Sequence, residues 1–211
     1  MRRMNLTRLL ALLAAVAAGT SCGDVSRSGR SPVYLVMDSL EGIRGAAQPG
    51  QPSGVLISDV ITFVTSPPPC STTSPCSTIF GDTGQAVLHS SLKDIGTPTA
   101  PASPTTNNDV TITRYHVSFT RADGRNVEGV DVPYGFDGAA TGTVAAGSTL
   151  TLSFELVRNI AKQEPPLIQL ETSATIITTI ANITFYGQDQ AGNQVSVTGS
   201  ITVEFGNFGD F

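Results

Sequence analysis

His89 and His116 are the only two histidines in the chain, and each lies in a stretch that reads as a strand. A Ser-His-Asp hydrolase would need one of them beside a serine exposed on a sharp strand-to-helix turn, and no Gly-x-Ser-x-Gly elbow is present. Ser148 follows a glycine but leads into a strand. Both histidines are therefore read as half-exposed positions on a polar strand face rather than as catalytic groups. Acidic turns raise a second chemistry, calcium binding. Asp189 and Asn193 bracket one turn, Asp131 and Asp137 flank residues 133–136, and Asp82 sits in a third. Calcium needs about six or more oxygen ligands, no EF-hand loop is present, and Asp and Asn occur in turns for their own local hydrogen bonds. Calcium binding stays undecided on these residues, and nothing in the residue pattern calls for a cofactor.

Sulfur chemistry is confined to Cys22, Cys70 and Cys76. Cys70 and Cys76 stand at the two ends of a Cys-Ser-Thr-Thr-Ser-Pro-Cys run that follows three prolines. Two thiolates with no His, Asp or Glu between them do not complete a zinc site, and the spacing is not that of a Cys-x-x-Cys redox pair. In an exported chain an even pair implies a disulfide, here a small structural ring contributing roughly 2 kcal/mol.

Export is implied by the start of the chain. Arg2, Arg3 and Arg8 precede the apolar run 9–18 (LLALLAAVAA), which is too short to span a bilayer as a helix and has the form of a signal sequence. It ends in Gly19-Thr20-Ser21-Cys22-Gly23, which resembles the lipobox of bacterial lipoproteins. That resemblance implies cleavage before Cys22 and a diacylglyceryl group on its thiol, with acyl chains holding the protein to a membrane. Gly19 departs from the leucine favoured in that motif, so processing without lipidation stays open. The division expected is residues 1–21 as signal peptide, 22–31 as a small, polar lipidated tether, and 32–211 as one folded domain.

Those boundaries change the charge. The whole chain carries 12 basic and 17 acidic residues. Removing Arg2, Arg3 and Arg8 leaves 9 basic against the same 17 acidic, a surface that repels nucleic acid phosphates. Only 14% of residues are charged, there is no Trp, and Thr, Ser, Gly and Ala fill the difference, a composition suited to strands and turns.

Elements follow from periodicity. From Val195 the apolar set Val195, Val197, Gly199, Ile201, Val203 and Phe205 alternates with polar residues, predicting a strand with one dry face. Residues 176–186 predict a partner strand with a bulge where its isoleucines change phase, and 187–193 the turn between them. Strands are also expected over 33–37, buried on both sides, over 55–65, over 110–120, over 150–156 and, briefly, over 167–172. A hairpin is expected around a turn at 81–84, a short helix at 158–164, an edge segment or long connection at 127–136, and loops at 42–54, 96–109 and 138–148. The count is about seven to nine strands, matching one antiparallel two-sheet sandwich.

The final strand pair resembles the last two strands of bacterial immunoglobulin-like domains. The chain as a whole resembles a family of uncharacterised predicted bacterial lipoproteins through its Ser-Pro-Val-Tyr-Leu-Val segment at Ser31, Thr-Arg-Tyr-His-Val at Thr113, Ala-Asp-Gly-Arg-Asn at Ala122 and Gly-Asn-Phe-Gly-Asp at Gly206. The resemblance implies an all-β immunoglobulin-like fold and a lipid-anchored place in the bacterial cell envelope, periplasmic or surface-facing, with no activity attached. The expected function is a non-enzymatic binding or scaffolding module with a protein partner in the envelope. The alternative is a carbohydrate- or small-ligand-binding module. Tyr134, Phe136, Phe208 and Phe211 are the candidate partner contacts.

Overall fold

The alternation that begins at Val195 governs the architecture, because a strand with one dry face must lay that face over a core. The computed structural model describes residues 29–48 and 50–209; the signal sequence, Cys22 and Phe211 lie outside the described residues. In chain order the strands are β1 (Val33–Ile43), β2 (Val55–Asp59), β3 (Thr62–Val64), β4 (Cys76–Thr78), β5 (Asp82–Leu92), β6 (Gly96–Thr97), β7 (Ala100–Pro101), β8 (Val110–Thr120), β9 (Phe136–Val144) and β10 (Thr149–Val157). A short helix α1 (Asn159–Lys162) and a 3-10 turn (Leu167–Leu170) lead to β11 (Ile177–Asp189) and β12 (Gln194–Gly206).

Two sheets share one core. The first has the order β1-β5-β10, the second β2-β12-β11-β8-β9. Between them an aromatic cluster joins the layers: Phe154 of β10 lies 5.2 Å from Tyr115 of β8 and 5.2 Å from Phe185 of β11, edge to face. Tyr115 is buried, and its phenol oxygen accepts the Glu155 N–H. Burial, partly offset by that N–H, raises its pKa above the usual tyrosine value. Around the rings sit Leu88, Ile112, Val117, Leu156, Ile183 and Val203, all fully buried and each contributing about 1.5–3 kcal/mol against exposure.

Several expectations need correction. Pairing in the main sheets is antiparallel except between β2 and β12, which run parallel from Val55↔Thr202 to Asp59↔Gly206. The 55–65 run is two strands in different sheets, β2 and β3. In β1 only one face is dry, since Tyr34 is 59% exposed between buried Val33 and Leu35. The expected turn at 81–84 is instead the start of β5, where a Cβ on Gly84 would stand 2.3 Å from the Phe154 ring. Gly84 is there for close approach. Residues 138–144, expected as loop, belong to β9; Gly138 leaves room for Tyr115, and Gly142 for Leu150. Residues 167–170 form the 3-10 turn, not a strand. β11 and β12 pair without interruption from Ile177↔Phe205 to Gln188↔Gln194, and Ile180 is exposed rather than rephased by a bulge; the register shift lies between β11 and β8 at Tyr186/Gly187.

The molecule has two distinct ends. At one, Ser31 hydrogen-bonds Asp189 in the β11–β12 turn, close to where β1 begins. At the other lie the ends of β2, β8 and β12, which the register Val55–Thr202–Ile180–Thr120 aligns. β12 has 13 residues, so the ends stand about 40 Å apart at 3.3 Å per residue.

Candidate functional site

The far end, away from Ser31, gathers the groups with most chemical content. Lys162 is 0% exposed, and its Nζ lies 2.9 Å from Asp82 Oδ2, also fully buried, and donates to the Asp59 carbonyl at 2.8 Å. Asp82 additionally accepts the Ser58 hydroxyl at 2.6 Å and the Gly45 N–H at 2.8 Å. α1, β2, β5 and the chain after β1 are thereby tied at one point. A charge removed from water is tolerated only with this degree of pairing. Nothing in the local sequence marks Lys162: it is one polar residue in a short polar helix, and its partner is 80 positions away.

Beside this network runs a groove of about 530 Å³. One wall is residues 44–48 and the other is β3 and its continuation to Ser66, with Asp59 also lining it. Asp59 is buried, and its Oδ1 accepts the Phe208 N–H at 3.2 Å. β3 pairs with β4, and the Cys70–Cys76 disulfide, as read from the sequence, closes the loop between them. Phe63 on β3 is 47% exposed. Neither Arg44 nor Phe63 stood out in the sequence, because each gains meaning only from the other wall.

A second feature is the loop 121–135 between β8 and β9. Its backbone is satisfied internally: the Val127 N–H meets Asp131 Oδ2, Gly135 N–H meets Glu128 Oε1, and Arg121 N–H meets Asn126 Oδ1. Asp123 lies between the Arg121 and Arg125 guanidiniums, whose hydrogen bonds hold its carboxyl well below the usual range. On this ordered frame Val127, Val130 and Tyr134 are 59%, 67% and 48% exposed. Of the sequence-chosen contacts, Tyr134 is thus at the surface, with its ring over Gly129. Phe136 is half-buried, edge-on to Tyr115 and covered by the Arg158 guanidinium at 4.5 Å. Phe208 packs over Gly206 near the groove; Phe211 lies outside the described residues.

Both histidines face a carboxylate. His89 Nδ1 lies 2.8 Å from Asp38 Oδ1, and His116 Nδ1 3.2 Å from Asp137 Oδ1, which Arg114 also reaches at 3.3 Å. These pairs lie on partly exposed sheet faces. His116 belongs to a polar surface whose members bond one another: Ser200 donates to Asn182 at 2.8 Å, the Thr184 and Thr198 hydroxyls meet at 2.8 Å, and Arg114 stacks on Tyr186 at 3.6 Å.

The acidic turns are likewise engaged. Asp189 Oδ1 accepts the N–H groups of Ala191 and Asn193, and Oδ2 the Asn193 amide. Burial alone would raise its pKa, but these bonds and that from Ser31 outweigh it and the carboxyl sits below its ordinary value. Among the described residues no three His, Cys, Asp or Glu side chains are grouped to hold a metal ion, and no helix is long and apolar enough to cross a membrane. Compared with family models and with curated proteins, the chain matches none.

Proposed function

We propose that the protein is a lipid-anchored, non-enzymatic binding or scaffolding module of the bacterial cell envelope, built as an immunoglobulin-like sandwich and engaging a protein partner through the 121–135 loop. The observation that carries this reading is the exposure of Val127, Val130 and Tyr134 on a loop already rigid through its own hydrogen bonds. Apolar side chains held out on an ordered frame lose little entropy when covered, which favours association.

Fold and polarity support it. Read as strands A, B and E, the order β1-β5-β10 matches one immunoglobulin layer, and β12-β11-β8-β9 matches the G, F and C layer extended by one strand. Tyr115 on β8 takes the place of the core aromatic of strand C. An anchor at Cys22 precedes Ser31, so the loop occupies the end away from the membrane attachment.

The test is a photo-crosslinking residue at position 130 of the membrane-bound full chain, with position 198 on the polar face as control. One discrete envelope protein should be captured from 130 and not from 198, and Tyr134→Ala should reduce capture about tenfold. Identical adducts from both positions, or none from 130, overturn the reading.

A further inference from the structure

We infer that the groove between residues 44–48 and β3 is a second binding site, for a neutral carbohydrate whose sugar ring stacks on Phe63. A pyranose has an apolar face of C–H groups and a rim of hydroxyls that each donate and accept. The groove offers the counterpart of each: the half-exposed ring of Phe63, the donor-only guanidinium of Arg44, and Gln48, Thr62 and Thr65, which donate and accept. An aromatic face and C–H edges attract through the ring quadrupole.

Charge narrows the class. The protein is acidic overall, which disfavours an anionic glycan, and a cation would meet the Arg44 guanidinium. The volume of about 530 Å³ falls in the range of small-molecule sites, roughly 300–1,000 Å³.

The walls are also fixed in advance. The loop of the hairpin carrying Phe63 is tied to the start of β4 by Cys70–Cys76. The backbone of Asp59 is held by the buried Lys162 and its carboxylate by the Phe208 N–H. Arg44 is held through its carbonyl, which accepts the Gly50 N–H. Preorganisation of this kind lowers the ordering cost of binding.

Native electrophoresis of the detergent-extracted full chain through gels containing hydroxyethyl cellulose, soluble starch, xylan or glycol chitin tests the assignment, with polygalacturonate as the acidic comparison. At least one neutral polymer should retard the protein, and Phe63→Ala and Arg44→Ala should each weaken that retardation about tenfold, with unchanged thermal unfolding. Tyr134→Ala should leave it unchanged, which separates this site from the loop. Absence of retardation by every neutral polymer, retardation by polygalacturonate alone, or retardation unaffected by Phe63→Ala overturns the inference.

Discussion

Lys162 is the residue on which the far end depends most. Its ammonium is enclosed with Asp82, and the same carboxylate serves Ser58 and Gly45. Lys162→Met would keep most of the volume while leaving the Asp82 charge buried without its cation, and the stability measured by urea unfolding should fall by about 3–5 kcal/mol. Adding Asp82→Leu should restore only part of the loss, because the Gly45 N–H and Ser58 hydroxyl then lose their acceptor. Equal stability of Lys162→Met and the parent would mean that the pair contributes nothing. None of this was legible in the sequence. A lysine declares its burial only through a partner, and Asp82 was read as a turn residue because Gly81 and Gly84 flank it.

At the scale of elements the legible parts were those with strict period two. β8, β10 and β12 appear at nearly the expected boundaries, with Tyr115, Val117 and Phe119 inward and Arg114, His116 and Ser118 outward as read. β9 was hidden because glycines that make room for Tyr115 and Leu150 look like loop residues. The β11–β12 turn also carries a pH signature. Asp189 has a folded pKa below the ordinary aspartate value, so its ionised form is favoured by folding. Its contribution is fully present above the unfolded value and is lost as pH falls through the folded one. Thermal unfolding should therefore lose stability below about pH 4, and Asp189→Asn should flatten that dependence. Asp123 shifts in the same direction but is exposed between its arginines, where solvent screens the effect. An acid limb as steep in Asp189→Asn as in the parent would assign the loss to other carboxylates.

For the whole molecule, the all-β class came through from composition and alternation, while the parallel β2–β12 contact did not, since five residues of β2 carry no record of which way their neighbour runs. The proposed anchor is tested at this scale. Cys22→Ser should move the protein from the membrane to the soluble fraction, since acyl chains contribute about 0.8 kcal/mol per buried methylene. Retention in the membrane fraction would remove lipidation from the account.

The separation of the two ends also sets how the protein bears load. A pull between the proposed anchor before Ser31 and the proposed partner at the 121–135 loop would run along the strands, and β1 would meet it first. Its ladder to β5 extends from Val33↔Leu92 to Ile43↔Thr83, nearly parallel to that force. Hydrogen bonds loaded in shear share the tension and must yield together, whereas a ladder pulled from one side opens bond by bond. Attached as proposed, the fold would act as a tie rod between membrane and partner.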